Sequence, residues 1–287
     1  VEYIHDLKMQ KRLPPNLKVV MVTNGTLIDD EIAQYFRDKD ISVGISLDGP
    51  LVIHNKYRKY SSSKGSFMDT LRGYNLLIKH KVKTGISCTI TPDLINNLDL
   101  FFDFVKHLDN CDGISFNILH CNLGIETKAD YYTDAAIFIT KAFEELRKMG
   151  IYEERMLRKI TAFLNHQIVP FDCGAEGEQI AVGPAGLVSV CQDTLRCSEF
   201  IIAKVSDLNF NPLENDIIKQ WSLRSPLNIP ECISCPALGI CGGGCPINAF
   251  ILNGSMWSVD KRICPHSLYT LEWMIWDLYS HMRQKIV

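Results

Sequence analysis

Four cysteines stand together in one short stretch of this chain, Cys232-Ile233-Ser234-Cys235-Pro236-Ala237-Leu238-Gly239-Ile240-Cys241-Gly242-Gly243-Gly244-Cys245, and a fifth follows at Cys264. Thiols spaced this closely point at common centres, and disulfides, zinc or iron-sulfur clusters can each use them. The choice among these three chemistries decides how the C-terminal part of the chain folds.

Composition makes disulfides the weakest of the three alternatives. The chain opens without a positively charged, apolar signal segment, and no run of about 18 apolar residues occurs in it. We therefore expect a cytoplasmic protein without a membrane partner. Disulfide frameworks belong to small secreted domains, whereas 287 residues that are 46% hydrophobic can bury a core of their own.

The distribution of charge and cysteine divides the chain into two parts. A net charge of −3, with Lys and Arg spread along the sequence, offers no basic stripe, so we expect no nucleic-acid partner. Only three cysteines precede residue 173, and we set them aside as metal ligands: Cys88, Cys111 and Cys121. Cys88 lies within a predicted strand and is expected to be a small buried hydrophobe.

Short apolar runs alternate with helical patterns in the first part. We predict strands at residues 18–23, 41–47, 83–90 and 113–119, with helices at about 29–38, 67–79, 98–108, 132–149 and 153–166. Strands that alternate with helices indicate an α/β fold with a parallel sheet, buried on both faces and joined by right-handed crossovers. Four such units are half of an eight-unit barrel.

Ligands of parallel sheets lie at the carboxyl ends of the strands, which makes the polar residues there the candidates for cofactor binding. They are Asn24, Ser46, Asp48 and Thr89, with residues 117–120 after the fourth strand. Ser46 and Asp48 offer a hydroxyl and a carboxylate to a ribose. The alternative is that Asn24-Gly25 and Asp48-Gly49-Pro50 are turn chemistry alone.

The segment after the second strand, residues 53–58, is polar. We expect it to be a solvated loop that ends before a helix cap at Ser66. The alternative is that His54 and Arg58 bind an anionic group.

A cluster of breakers at residues 169–174 predicts a boundary between a domain at 1–168 and a second domain at 169–287. The second domain begins with a β-hairpin, residues 179–183 and 187–191 about the turn Pro184-Ala185-Gly186. Cys191 ends one strand of this hairpin, and Cys173 precedes the other. The closing segment, residues 267–282, has helical periodicity.

Zinc is a real alternative for the four clustered thiols, since a zinc ribbon needs two pairs of cysteines on tight turns. It leaves Cys173, Cys191 and Cys264 unexplained. Seven thiols are nearly enough for two four-ligand iron-sulfur clusters. The glycines around Cys241 favour clusters, because they let the backbone wrap a bulky inorganic core and aim amide groups at its sulfides.

The spacing as a whole resembles the SPASM auxiliary-cluster domain of radical S-adenosylmethionine (radical SAM) enzymes. That family has Cys-x(9 to 15)-Gly-x4-Cys, a gap, Cys-x2-Cys-x5-Cys-x3-Cys, a gap, and Cys. All positions fit: Cys173, Gly186, Cys191, Cys232, Cys235, Cys241, Cys245 and Cys264. The strand-end residues of the first part resemble the third and fourth strands of sulfatase-maturase-like and peptide-maturase radical SAM barrels, so the resemblance covers nearly the whole chain.

The resemblance implies a partial (β/α) radical SAM barrel, on the side of its strands 3 to 6, followed by a cysteine-rich α+β SPASM domain. It also implies two auxiliary 4Fe-4S clusters. Cys232, Cys235, Cys241 and Cys264 would hold one cluster. Cys173, Cys191 and Cys245 would hold the other, with Cys197 as the candidate fourth ligand or with an iron left open for a substrate thiolate.

The family's Cys-x3-Cys-x2-Cys loop, which holds the cluster that cleaves S-adenosylmethionine, does not occur before residue 173, and neither does its Gly-Gly-Glu segment. We therefore expect an N-terminally truncated enzyme in which this chain alone is inactive. The intact enzyme would also bind S-adenosylmethionine and a third 4Fe-4S cluster. If the chain were complete, the alternative is a binding module with clusters or zinc and no catalysis.

By the same resemblance, the intact enzyme abstracts a hydrogen atom from a peptide or protein with a 5′-deoxyadenosyl radical and draws electrons from a donor such as flavodoxin or ferredoxin. Sulfatase maturases place an Asp directly after the cysteine equivalent to Cys191, whereas this chain has Gln192 and then Asp193. Asp193 is the candidate catalytic base, with a turn-forming carboxylate as its alternative. This departure favours maturation of ribosomal peptides, for instance thioether formation, over formylglycine formation in sulfatases.

Overall fold

A computed structural model describes residues 1–119, 128 and 130–284 of the chain. The predicted polar position at 120 and Cys121 lie outside the described residues. The chain divides into two compact units, one of residues 1–119 and 138–157 and one of residues 120–137 and 158–287. The predicted domain boundary after residue 168 stays a prediction.

The first unit contains a five-stranded sheet in which every neighbouring pair is parallel, and the strands follow one another in chain order. This confirms the α/β prediction. The four predicted strands are present, and the structure adds a short fifth one. The strands are β1 (Val19–Thr23), β2 (Ile41–Ser46), β3 (Thr84–Thr89), β4 (Gly113–Asn117) and β5 (Tyr152–Glu153).

Helices connect these strands, as the alternating pattern predicts. The predicted helix at 67–79 has the same bounds in the structure, and the others differ by a few residues. The helices are α1 (Glu2–Met9), α2 (Asp30–Asp38), α3 (Leu51–Tyr57), α4 (Phe67–Lys79), α5 (Pro92–Ile95), α6 (Leu98–Lys106), α7 (Tyr131–Lys148) and α8 (Glu154–Leu164).

The two faces of the sheet differ, so the expectation that both would be buried is wrong. Residues of β2 and β3 alternate between fully buried and half-buried. The buried face carries large apolar side chains such as Val43 and Ile86, and Phe101, Phe116 and Phe138 pack near it with ring centroids 5.4–5.6 Å apart. The other face carries mainly serine and glycine on β2, β3 and β4 and lines a groove of about 710 Å³.

The segment after β2 is a helix, so its prediction as a solvated loop is wrong. Pro50 occupies the N-cap of α3, and His54 on this helix is fully buried. His54 Nδ1 accepts a hydrogen bond from the Asp48 backbone N–H at 3.3 Å. Its Nε2 lies 3.0 Å from Ser66 Oγ, which donates in turn to the Arg58 carbonyl. A proton on Nε2 alone satisfies this whole chain of bonds, so the imidazole is neutral.

The second unit is built around a small antiparallel sheet in the order β6-β7-β8. The predicted hairpin is present as β6 (Ala181–Val182) and β7 (Leu187–Ser189), and β8 (Ile201–Lys204) is added to it. The turn of this hairpin contains Gly186 with φ +74°. Four helices follow: α9 (Asp216–Ser222), α10 (Leu238–Cys241), α11 (Pro246–Asn253) and α12 (Ile263–Gln284).

None of the helices within the described residues combines the length and the apolar character that crossing a bilayer requires.

We expect His54 to make the stability of the fold depend on pH. Burial lowers the pKa of this imidazole from 6.5 to about 4. Between these values the unfolded chain binds a proton that the folded chain does not. The contribution of neutral His54 to the free energy of unfolding is therefore complete above pH 6.5 and is lost as pH falls toward 4. The loss approaches roughly 3 kcal/mol near pH 4. Urea unfolding at several pH values measures it, with His54→Gln as the control because an amide keeps an acceptor and a donor without titrating. Equal pH dependence of the two proteins would contradict this assignment.

We also expect Gly73 on α4 to be essential for the position of the turn after β1. A Cβ at this glycine would lie 2.1 Å from the carbonyl oxygen of Gly25. Gly73→Ala therefore forces helix and turn apart and should lower the free energy of unfolding by roughly 1–3 kcal/mol. Met68→Ala is the matched control on the same helix, since Met68 is 65% exposed. The idea fails if chemical denaturation finds the two variants equally stable.

Candidate functional site

Four thiols of the second unit surround one cavity of about 330 Å³. Cys232 ends the turn Pro230–Cys232, Cys241 ends α10, and Cys264 lies in the first turn of α12. Cys235 follows Cys232 by a tight turn, in which its backbone N–H donates to the Cys232 carbonyl at 3.0 Å. The rest of the lining is largely apolar and includes Leu238, Val259, Ile263 and Leu268.

The electrostatics of these thiols show that they are neighbours. Burial and, after it, the adjacent thiolates of Cys241, Cys264 and Cys235 together raise the pKa of Cys232 to about 11. Burial likewise raises the pKa of Cys264, with Cys241 and Cys235 contributing. Ser267 Oγ donates a hydrogen bond to Cys241 Sγ at 3.2 Å. Such a group can carry several thiolate charges only when bound cations compensate them.

A second group of thiols packs against the apolar core of the same unit. It consists of Cys173, Cys191, Cys197 and Cys245, all partly buried against a cluster that includes Val190, Phe200, Trp221 and Ile247. Burial raises the pKa of Cys245 to about 12, with a contribution from Cys173. Burial raises the pKa of Cys173 to about 11, and Cys191 adds to the shift.

Backbone amides favour the thiolate forms of this second group against the larger effect of burial. They lower the pKa of Cys191 from residues 192–194, that of Cys245 from Ile247 and Asn248, and that of Cys173 from Ala175. Cys245 is also the N-cap residue of α11. Amide donors of this kind stabilise thiolates that bind metals.

The turn between Cys241 and Cys245 separates the two groups. Gly242, Gly243 and Gly244 all have positive φ, at 76°, 82° and 70°. Three successive left-handed residues reverse the chain sharply, and only glycine adopts this conformation without strain. Two cysteines that are close in sequence thereby belong to different groups.

The thiols fit iron-sulfur clusters in number and chemistry. The ten described cysteines are free of disulfides. Among the described residues, no three His, Cys, Asp or Glu side chains lie close enough together to hold a single metal ion. The cavity enclosed by four half-buried thiols has room for an inorganic core rather than one ion, and soft thiolate ligands are those that clusters use.

At the strand ends of the first unit, Asp48 and Thr89 come together. Asp48 is buried, and its carboxylate binds the Arg58 guanidinium with Nε–Oδ2 and Nη2–Oδ1 distances of 2.5 and 3.1 Å. The Thr89 backbone N–H donates to Asp48 Oδ1 at 2.8 Å, and Arg58 Nη2 lies 3.4 Å from Thr89 Oγ1. Both carboxylate oxygens are therefore engaged within the protein. The role of Asp48 in binding a cofactor stays a prediction.

The other predicted strand-end residues have different surroundings. Asn24 Oδ1 accepts from the backbone N–H and the hydroxyl of Thr26 at 3.2 and 3.1 Å, which is the turn chemistry named as its alternative. Ser46 is half-buried at the end of β2, in register with Ser87 of β3. The assignment of Asn24 and Ser46 to a cofactor stays a prediction.

Arg155 is a polar residue of the sheet edge that the sequence does not predict. Its Nη2 donates to Asn117 Oδ1 at 2.9 Å, and Asn117 Nδ2 donates to Ser87 Oγ at 2.9 Å. The chain of bonds links a cation on α8 to the ends of β4 and β3. No local pattern signals it, because the contact between Arg155 and Asn117 spans 38 residues of sequence.

Asp193, the candidate base, is exposed in the short helical turn Gln192–Arg196 directly after Cys191. Its backbone amide lowers the pKa of Cys191, whereas its carboxylate raises that pKa. These effects are compatible with a turn residue and with a base near the second group of thiols, so the catalytic assignment of Asp193 stays a prediction.

Sequence comparison finds relatives among maturating enzymes, although no protein-family model matches the chain. The serine-type anaerobic sulfatase-maturating enzyme of Bacteroides thetaiotaomicron is 26% identical over 79% of this chain and 60% of its own length. The subtilosin biosynthesis protein AlbA of Bacillus subtilis is 25% identical over 79% of this chain and 50% of its own length. The chain thus spans only part of the length of these relatives.

Solved structures share the fold. Native anSMEcpe with bound AdoMet superposes with a TM-score of 0.79 at 20% identity, covering 99% of this chain and 81% of that one. Streptococcus suis SuiB bound to S-adenosylmethionine matches with a TM-score of 0.57 at 17% identity, over 86% of this chain and 60% of its own. The sequence relatives show that the chain is a homologue of anaerobic sulfatase-maturating enzymes and of AlbA, and the solved structures show that it has the fold of anSMEcpe and SuiB.

Proposed function

We propose that this chain is the part of a radical SAM peptide- or protein-modifying enzyme that holds two auxiliary 4Fe-4S clusters. The observation that carries the proposal is the division of the thiols into two groups of mutual neighbours. The first group surrounds an apolar cavity, and the second packs on the core with backbone amides that lower the pKa of its thiols against the effect of burial. This division supports the two ligand sets that the family resemblance implies.

In this proposal Cys232, Cys235, Cys241 and Cys264 hold one cluster, and Cys173, Cys191 and Cys245 hold the other. Cys197 packs against the same core cluster as the second set and is the fourth-ligand candidate. When bound, the clusters would accept or relay electrons, or hold a substrate thiolate. The chain supplies thiolate ligands, amide donors and an apolar surrounding that limits water.

The strand ends of the first unit are the proposed place for S-adenosylmethionine, with Asn24, Ser46, Asp48 and Thr89 as its candidate contacts. The serine- and glycine-lined groove of about 710 Å³ leaves space on this face of the sheet. The proposed substrate is a peptide or protein. SuiB, whose fold the chain shares, has been solved with its precursor peptide SuiA, and anSMEcpe with a Cys-containing peptide. The electron donor is proposed to be a flavodoxin or ferredoxin.

The relatives support two substrate classes equally. Relatives include anaerobic sulfatase-maturating enzymes, which favours formylglycine formation on a sulfatase. They also include the subtilosin protein AlbA, which favours modification of a ribosomal peptide, for instance by a thioether. Gln192 stands where the sulfatase maturases have an Asp, and this favours the peptide class.

A non-catalytic module that binds clusters or zinc is the alternative from another class. We propose that the chain alone does not cleave S-adenosylmethionine, because its 287 residues contain no Cys-x3-Cys-x2-Cys loop. Metal analysis separates the cluster proposal from zinc, and a cleavage assay tests the inactivity.

We expect the anaerobically reconstituted chain to be brown and to bind about eight irons, since each cubane contains four. Cys235→Ala and Cys191→Ala should each lose about four irons, because each removes a ligand from a different group. Iron and sulfide analysis with electron paramagnetic resonance measures these losses. Cys111→Ser is the control, since Cys111 belongs to the first unit and to neither group.

Colourless protein with one or two zinc ions would contradict the cluster assignment. Loss of all iron from either variant would contradict two separate ligand sets. Cys197→Ser, made together with Cys235→Ala, tests the fourth ligand of the remaining cluster. We expect the spectrum of that cluster to differ from its spectrum in Cys235→Ala alone. An unchanged spectrum would remove Cys197 from the ligand set.

We expect the reconstituted chain to produce no 5′-deoxyadenosine from S-adenosylmethionine and a strong reductant. A polypeptide that carries the Cys-x3-Cys-x2-Cys loop ahead of this sequence should produce it. Mass spectrometry of two peptide substrates then separates the classes, since thioether formation removes two hydrogen atoms and formylglycine formation replaces a thiol by an aldehyde. Production of 5′-deoxyadenosine by the chain alone would overturn the proposed inactivity.

A further inference from the structure

Arg224 is a fully buried cation in the second unit, directly after α9. Its exposed fraction is 0%, and its guanidinium donates to five acceptors. They are the carbonyls of Met256 at 2.5 Å, Gly244 at 2.8 Å, Gly243 at 3.0 Å and Ser258 at 3.4 Å, and the Glu176 carboxylate at 2.9 Å. Four of the five acceptors are backbone groups, so Arg224 organises main chain rather than side chains.

Two of these carbonyls belong to the glycine turn that separates the two groups of thiols. Gly243 and Gly244 are in the left-handed conformation and precede Cys245 directly. A turn of consecutive left-handed residues does not satisfy its own carbonyls as a helix does, and a buried carbonyl without a partner is costly. The guanidinium satisfies both carbonyls and thereby fixes the direction in which the chain leaves Cys241 and enters Cys245.

Glu176 ties the segment of Cys173 to the same point. Its carboxylate is buried with an exposed side-chain fraction of 0%, and Oε1 binds Arg224 Nη1. Its other oxygen, Oε2, accepts from the backbone N–H of Asp172 at 3.1 Å. The residue next to Cys173 is thus connected through Glu176 and Arg224 to the residue next to Cys245.

The remaining acceptors lie on the approach to the first group of thiols. Met256 and Ser258 belong to the segment that leads from α11 toward Cys264 at the start of α12. Arg224 therefore bonds to segments that carry cysteines of both groups.

A buried ion pair is a weak source of stability, because removing two charges from water costs about as much as their attraction returns. A well-packed apolar pair could replace the ion pair itself, but it would leave the four backbone carbonyls without donors. What an apolar pair cannot supply is a planar fork of five donors in fixed directions, together with a charge that is balanced within the site.

We propose that Arg224, with Glu176 as its counter-ion, is a positioning residue for both iron-sulfur sites. Its donors set the directions of the ligand-bearing segments, and the neutral pair keeps an unbalanced charge away from two anionic clusters. The inference rests on the proposed function, because it requires that the two groups of thiols bind clusters.

Two conservative variants separate the role of direction from that of charge. Arg224→Lys keeps the charge but loses the fork, and we expect it to fold, by circular dichroism, while binding about half of the wild-type iron or less. Above pH 7, Glu176→Gln keeps the shape and leaves the cation unbalanced, because the carboxyl that it replaces is ionised there even though burial raises its pKa to about 7. We expect it to retain its iron and to have at least one cluster with a more positive midpoint potential in a redox titration, because a nearby positive charge stabilises the reduced cluster.

Arg196→Lys and Glu178→Gln are the matched controls. Arg196 and Glu178 are exposed in the same unit and close in sequence to Cys191 and Cys173. Both controls should have wild-type iron and potentials. If Arg224→Lys fails to fold, the potential of Glu176→Gln still decides the inference.

Wild-type iron in both Arg224→Lys and Glu176→Gln, with unchanged midpoint potentials, would overturn the positioning role. Lower resistance to urea with unchanged iron and potentials would also overturn it, because the pair would then act on stability alone. Absence of iron from the wild-type chain is a different result, since it overturns the proposed function itself.

Discussion

The left-handed turn of Gly242, Gly243 and Gly244 is the constraint on which the second unit depends. A Cβ at Gly242 would lie 2.6 Å from the backbone of Phe171 and Asp172, so the turn packs main chain against main chain next to Cys173. A side chain at this position would push the two segments apart. The turn thus sends Cys241 and Cys245 to different groups and brings Cys173 to the second of them.

In both units, buried charged groups are compensated by protein groups of opposite charge and by hydrogen bonds rather than by solvent. In the first unit the Asp48 carboxylate is shared between the Arg58 guanidinium and the Thr89 amide, and this joins the ends of β2 and β3 to the residue after α3. In the second unit Arg224 and Glu176 perform the same task for the segments that carry cysteines. Both networks lie beside candidate sites, where a displaced backbone would change the position of several ligands together.

Periodic and spaced features could be predicted from the sequence. β2 and α4 appear where their patterns indicate, because alternating burial and a helical apolar stripe are local properties. Features that depend on partners were missed. The polar residues of helix α3 predict a loop, although Pro50 before it is a helix start signal. The burial of His54 on this helix depends on its tertiary contacts. The strand β5 has two residues, and its pairing with Gly113 and Ile114 of β4 defines it.

By itself the sequence determined the number and spacing of the thiols, the glycines between them and the alternation of strands and helices, since each of these repeats or stands at a fixed separation along the chain. Only the tertiary structure decided that Arg224 joins segments of both thiol groups, that His54 is neutral and buried, and that Arg155 reaches Asn117. These contacts join residues that are 20, 12 and 38 positions apart. Packing brings such residues together, and packing leaves no periodic trace in the sequence.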